Sequence, residues 1–266
     1  MIVNTNRPVN STDAYCGCSI PPDVYAIAFG WDASPEIERL LGLARDVGVE
    51  VRSALELGCG TGRLLAALRT RVPDVCGIEL QTDMAEAARR HSGAEIAACD
   101  MTSFALGRTF DLIYTSANTI RHITSPDAIV SLWRCVAAHL SPGGVYIGDL
   151  EFGVADALSQ VGRPACWSIS RGATEVAARW MVESFAEPEA RVCRVMWEFD
   201  RRTPTDRRRW RESFDARVYE APEFFEFARR GGLAVAGLYE LRDPLLLPRS
   251  PERAAGRHMV VLRHAT

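Results

Sequence analysis

Residues 53–63, Ser-Ala-Leu-Glu-Leu-Gly-Cys-Gly-Thr-Gly-Arg, constrain the fold more than any other stretch of the chain. A short apolar run ends at Leu57, glycines stand at 58, 60 and 62, and Leu64-Leu65-Ala66-Ala67-Leu68 follows directly. That order predicts a strand, a tight glycine turn and a helix start. Glycine permits positive φ and lets the backbone come close to a ligand, while the first turn of the following helix offers free N–H groups. The spacing is G-x-G-x-G, not the G-x-G-x-x-G of dinucleotide folds, and no G-K-[ST] follows to cradle a triphosphate. Glu56 stands two residues before the first glycine. A carboxylate there suits a cationic, amine-bearing ligand better than a pyrophosphate.

Beyond the loop, short apolar runs alternate with helical patterns. Pro35 opens an amphipathic helix over 36–44, with proline in its first turn. Residues 75–78 read as a buried strand ending in Glu79, and an acid about twenty residues past a glycine turn can accept both hydroxyls of a ribose. A helix follows from Asp83, a first-turn acid. Residues 95–99 form a third strand ending in Asp100-Met101, and 110–114 a fourth, continued by the segment 115–123. Residues 127–139 read as a helix, Leu140-Ser141-Pro142-Gly143-Gly144 as a turn, and 145–150 as a fifth strand. Such alternation predicts a doubly wound α/β sheet, whose ligand sits outside the strand C-termini near the switch in strand order.

The glycine loop with its acid resembles motif I of the class I S-adenosylmethionine (SAM) dependent methyltransferases, and Leu140 to Gly144 is similar to that family's post-helix L-x-P-G-G element. The run Ala117-Asn118-Thr119 … His122-Ile123 looks like the A-N-S-x-x-H-L segment of small-molecule N-methyltransferases, including those acting on amino sugars and glycine. The resemblance implies a seven-stranded, Rossmann-like sheet whose last strand runs antiparallel, residues 233–239 and 259–264 being its last two strands. It implies SAM as cofactor, with S-adenosylhomocysteine as product. Around the cofactor it places Glu56, Gly58, Cys59, Gly60, Thr61, Gly62, Glu79, Leu80, Asp100, Met101, Ser116 and Asn118. Asp100 would accept from the adenine amine and Met101 would flank the ring. The segment after the fourth strand would face the sulfonium methyl, with His122 beside the acceptor amine. An unperturbed histidine pKa of about 6.5 makes it the nearby side chain able to take a proton at neutral pH. Residues 1–34 would be an arm over the site, with Tyr25 or Tyr15 holding the acceptor or cradling the methyl.

The texture changes after the fifth strand. Residues 151–174 read as a linker with Gly153, Gly162, Pro164 and Gly172. Residues 176–185, 192–199 and 210–219 alternate roughly and are rich in Val, Trp, Phe and Arg. They predict antiparallel strands in a cap of residues 153–219, inserted between the fifth and sixth sheet strands. In relatives such an insert serves as a lid or oligomer surface, and a homodimer could form there. The methyltransferase domain would comprise 35–152 and 220–266, including a helix over 222–230 stopped by Gly231-Gly232.

Composition narrows the classes of partner. With 266 residues, 47% hydrophobic and 24% charged, the chain can hold one good core plus an embellishment. No apolar run approaches the ~20 residues of a membrane span and no signal pattern opens the chain, so no membrane contact and a cytoplasmic location are expected. A formal net charge of -3 gives no global attraction for nucleic acid. The arginines at 201–202 and 207–211 lie at a hairpin tip beside Asp200 and Asp206, which reads as a solvated hairpin. Eight cysteines are scattered through mainly apolar stretches as reduced thiols, and Cys16-Gly17-Cys18 lacks the second ligand pair a metal would want. The expected activity is methyl transfer from SAM to a nitrogen, less readily an oxygen or carbon, of a small molecule. The competing readings are an RNA or protein methyltransferase, and a SAM-binding protein without transfer activity.

Overall fold

The computed structural model of the chain describes residues 20–187, 191–242, 245–250 and 254–265. Tyr15, Cys16 and Cys18 lie outside these. In chain order the elements are α1 (Pro22–Ala28), α2 (Ser34–Asp46), β1 (Ser53–Leu57), α3 (Arg63–Leu68), β2 (Asp74–Glu79), α4 (Thr82–Ser92), β3 (Glu95–Ala98), β4 (Phe110–Thr115), a 3-10 turn (Thr119–His122), α5 (Pro126–His139) and β5 (Leu140–Phe152). Then come α6 (Val154–Ser159), β6 (Ala165–Arg171), β7 (Thr174–Glu187), β8 (Val192–Arg202), β9 (Arg207–Arg217), α7 (Ala221–Arg230), β10 (Leu233–Arg242), β11 (Leu245–Pro248) and β12 (Gly256–His264). They form two compact units, one of residues 33–156 with 217–266, the other of 157–216 with the segment up to 32.

The larger unit is built on a sheet in the order β11-β10-β12-β5-β4-β1-β2-β3. From β3 to β5 neighbouring strands are parallel, and β12 runs antiparallel to both β5 and β10. This is the doubly wound sheet with an antiparallel last strand. The short strand β11 extends the edge, making eight strands rather than seven. The 142–144 Pro-Gly-Gly stretch, expected as a turn before the fifth strand, lies inside β5 as an irregularity. There the pairing with β4 jumps from Phe110↔Leu140 to Leu112↔Val145.

Strand alternation explains why two cores flank one sheet. Leu55 and Leu57 of β1 and Ile113 of β4 pack with α5 and α7, where Trp133, Tyr146 and Phe224 meet edge to face. Ala54, Leu112 and Tyr114 point to the other face, onto α2, α3 and α4. Helix α2 buries Ile37, Leu40, Leu43 and Ala44, the one-stripe spacing of an amphipathic helix. Glu56 follows Ala54 on that same face.

The smaller unit is a four-stranded antiparallel sheet, β6-β7-β8-β9, with α1 packed on it. The stretch expected as a 151–174 linker thus contains α6 and β6. Phe29 is the hub of its aromatic contacts, 4.3 Å from Tyr25, 5.3 Å from Trp197 and 5.4 Å from Trp31, centroid to centroid. The arginine cluster is not simply a solvated tip. Asp200 is buried and accepts from Arg207 Nε (3.0 Å) and Nη2 (2.7 Å) and from Arg202 Nη2 (2.8 Å). Arg209, only 4% exposed, has its Nε 3.6 Å from the same carboxylate. Desolvation pushes the Asp200 carboxyl up, but bonds from Arg207 and Arg202 outweigh it and hold the pKa at about 2. The six described cysteines are free, and no described helix is long and apolar enough to cross a membrane.

Candidate active site

The glycine loop leaves β1 with positive φ at Gly58 (68°), Gly60 (55°) and Gly62 (79°). Gly58 is required twice over, because a Cβ there would also lie 2.5 Å from Thr119 Cγ2. The 3-10 turn after β4 therefore sits directly on the loop. Within the loop, Cys59 N–H donates to the Ile78 carbonyl (2.9 Å), Gly62 N–H to the Cys59 carbonyl (2.9 Å), and Gly60 N–H to Glu79 Oε2 (2.8 Å). Three of the loop's N–H groups are thus satisfied within the protein. This is a spacer that brings backbone close, not a phosphate cradle. Cys59 and Thr61 are buried.

Three carboxyl groups surround the loop. Glu56 is 3% exposed and accepts from the Tyr114 hydroxyl at 3.1 Å. Burial dominates its titration and raises it to about 8, against the Tyr114 bond and the Arg63 charge, which lower it. Glu36 of α2 is paired with Arg63 at 2.7 Å. Glu79 ends β2, bonded to Gly60 N–H through one oxygen and to Gln81 N–H (3.0 Å) through the other. Beside it Leu80 is 67% exposed, an apolar side chain held out at the strand's carboxyl end. Asp100 follows β3, exposed, with Oδ1 accepting from Thr102 N–H (2.7 Å) and Thr102 Oγ1 (2.8 Å). Met101 is half-buried against the core.

The segment after β4 completes this edge. Ser116 receives both Thr119 N–H (3.0 Å) and Thr119 Oγ1 (2.7 Å) on its carbonyl. Ala117 and Asn118 have φ of 50° and 62°, a left-handed pair that costs free energy without glycine. It is held because Asn118 Oδ1 accepts from Glu151 N–H at 2.7 Å and Asn118 N–H donates to the Asp149 carbonyl at 3.3 Å. The Asn118 amide oxygen therefore anchors the segment to β5. His122 ends the 3-10 turn and is exposed. Desolvation, with the Arg121 charge second, pulls its pKa below the ordinary histidine value. Next to Ser116 opens a small cleft lined also by Glu36, Arg39, Asp149 and Arg257. Asp149 and Arg257 are paired there, with Arg257 Nε 2.9 Å from Asp149 Oδ1. Neither was singled out in the sequence, since the pair joins residues far apart on β5 and β12. Tyr25 belongs to α1 of the smaller unit, its ring tilted against that of Phe29.

A loop with no room for a side chain at Gly58, three of its N–H groups satisfied internally, and acids around it fit a ligand carrying positive charge and no phosphate. SAM, with its sulfonium and ammonium groups, is such a ligand. Residues 54–144 match a family model described as a methyltransferase domain. The chain is 29% identical over 126 residues to dTDP-3-amino-3,4,6-trideoxy-alpha-D-glucopyranose N,N-dimethyltransferase of Streptomyces venezuelae, covering 47% of this chain and 53% of that one. It is 34% identical over 126 residues to dTDP-4-amino-2,3,4,6-tetradeoxy-D-glucose N,N-dimethyltransferase of Saccharopolyspora spinosa, covering 47% and 51%. The matches span about half the length of these curated relatives. Among solved structures it is similar to the sugar N-methyltransferase KedS8 of Streptoalloteichus sp ATCC 53650, with 25% identity, 97% and 99% coverage and a TM-score of 0.73. In strand order, in its glycine loop and in the match over residues 54–144, the larger unit is similar to the class I SAM-dependent methyltransferases. Within that class the chain resembles the amino-sugar N-methyltransferases.

Proposed function

We propose that the chain methylates a nitrogen of a small-molecule amine, an amino sugar foremost, with His122 as general base. The observation that carries this is the contact of Thr119 with Gly58, which seats the turn ending in His122 on the glycine loop. Bound SAM supplies a methyl group on a sulfonium, so departure of the leaving group needs little help. The protein's share is to position, desolvate and deprotonate. Glu79 with Leu80, and Asp100 with Met101, stand at successive strand ends to hold the ribose and adenine, and Glu56 and Glu36 to balance positive charge. An acceptor amine is largely protonated at neutral pH and must lose a proton before its lone pair can attack. Because the His122 pKa is lowered, its imidazole is neutral at pH 7 and can accept that proton.

The reading extends to a cytoplasmic enzyme with no nucleic-acid partner, in which the inserted sheet or the Tyr25 helix contributes to acceptor choice or to a homodimer. The gathering of Arg202, Arg207 and Arg209 on Asp200 supports a small acceptor over RNA, since those guanidinium groups are already engaged by a carboxylate. His122→Asn should lower turnover on an amino-sugar acceptor by ~10²–10⁴ with SAM affinity unchanged. The low-pH limb of the rate profile, set by a pKa below the ordinary histidine value, should vanish with it. A variant that keeps its rate per folded molecule would reject the base assignment. A parent protein that binds SAM yet methylates no amine would favour the non-catalytic alternative.

A further inference from the structure

We propose that Tyr219 and Arg217 are positioning residues for His122, holding the main chain just beyond it and the Arg121 side chain just before it. The Tyr219 hydroxyl donates to the Ile123 carbonyl at 2.9 Å, and Arg217 Nη1 to the Thr124 carbonyl at 3.1 Å. From the other direction Arg121 Nε donates to the Arg217 carbonyl at 3.0 Å. Residues 121, 123 and 124 are therefore each held, and His122 lies between them. A 3-10 turn of four residues has few bonds of its own to fix its end. The place of His122 at the end of the turn is thus set in part by what holds the chain around it.

The clamp is anchored in its turn. Tyr219 is fully buried, its carbonyl accepts from Gly153 N–H at 3.0 Å, and its ring meets Phe224 edge to face at 5.5 Å. Arg217 also donates through Nη2 to Glu223 of α7 at 2.8 Å, with its guanidinium 5.5 Å from the Tyr219 ring centroid. The charged groups around the segment are Arg121, Arg217, Glu223 and Glu151, the last 3.9 Å from Arg121. Burial keeps the Tyr219 hydroxyl protonated far above neutral pH, so its bond to Ile123 persists wherever His122 titrates. Arg217 is the last residue of β9, so the strand that leaves the inserted sheet runs straight into the clamp.

This inference rests on His122 as the base, and the test separates the two. Tyr219→Phe in the full chain removes one hydroxyl and leaves the ring. Its turnover on an amino-sugar acceptor should fall roughly ten- to a hundred-fold, the loss expected of a slightly misplaced group, with SAM affinity unchanged. The His122 ring, followed by NMR on histidine-labelled protein, should titrate closer to the ordinary histidine value as it gains water. In a His122→Asn background the same change should have no further effect on rate. Arg217→Lys, which keeps a charge beside Glu223 but loses the fork, should move both readouts the same way and serves if Tyr219→Phe does not fold. Folded variants with unchanged His122 titration and turnover would overturn the clamp. If His122→Asn alone keeps its rate, the base reading fails instead, and the NMR titration still decides whether Tyr219 orients the ring.

Discussion

At the level of single residues, Glu56 carries the sharpest consequence. Its carboxyl is buried and its pKa is about 8, with burial the main cause. In an unfolded chain it would titrate near 4.3. A raised carboxyl stabilises the fold below the unfolded value, and that contribution is lost as pH rises through about 8, because the buried group must then ionise. A cationic cofactor reverses the balance by favouring the ionised form. SAM binding at pH 7 should therefore release a proton from Glu56, and affinity should strengthen as pH rises toward 8. Calorimetry in two buffers of different ionisation enthalpy would measure this, and Glu56→Gln should abolish the Glu56 share. The role of this residue was legible from its place two before Gly58. Its partner was not. Tyr114 comes from β4 and meets Glu56 only because the parallel register pairs those two positions. The same holds for Asn118, whose neighbour Glu151 lies on β5. Spacing along the chain says nothing of either contact.

At the level of elements, the seat of the 3-10 turn on the glycine loop couples two segments that bracket the site. Gly58→Ala would force a methyl to within 2.5 Å of Thr119 Cγ2 at a φ of 68°. Threonine is β-branched and cannot swing that carbon away freely. The substitution should cost about 1–3 kcal/mol of stability, the usual charge for a side chain at such a φ, and should weaken SAM binding. Thr119→Ser removes the offending carbon, so the double variant should recover the steric part and leave the backbone part. Thermal unfolding with SAM titration of the four proteins gives the coupling, and strict additivity would mean that the loop and turn do not touch. The parallel strands were readable because each apolar run ended in an acid or a turn signal. β6 was not, because the proline and glycines near it read as linker, and α1 lies in the stretch expected as an arm; their apolar residues find partners only within the smaller unit. The eighth strand was missed for want of length, four residues paired with β10.

At the level of the whole molecule, the two units respond to acid in different ways. The smaller one depends on Asp200, whose pKa of about 2 marks stability that is present above the ordinary carboxylate value and lost as pH falls toward 2. Protonating it leaves Arg202, Arg207 and the buried Arg209 around a neutral group, a cluster of like charges without its hub. The larger unit also has a lowered carboxyl, Asp111, where bonds from Arg52 N–H, Ser141 and Ser53 outweigh desolvation. Glu56 is already protonated well above that range, so Glu56 itself adds no acid-side loss there. The smaller unit should therefore unfold first as pH drops below about 4, the ordinary aspartate value. Of the six tryptophans, Trp31, Trp167, Trp180, Trp197 and Trp210 lie in the smaller unit and only Trp133 in the larger. The helices α2, α3, α4, α5 and α7 all lie in the larger unit. Tryptophan emission should thus change at a higher pH than the far-ultraviolet helix signal. Coincident transitions would show a single cooperative unit instead. Asp200→Asn should pull the emission change up toward neutral pH and leave the helix transition where it was.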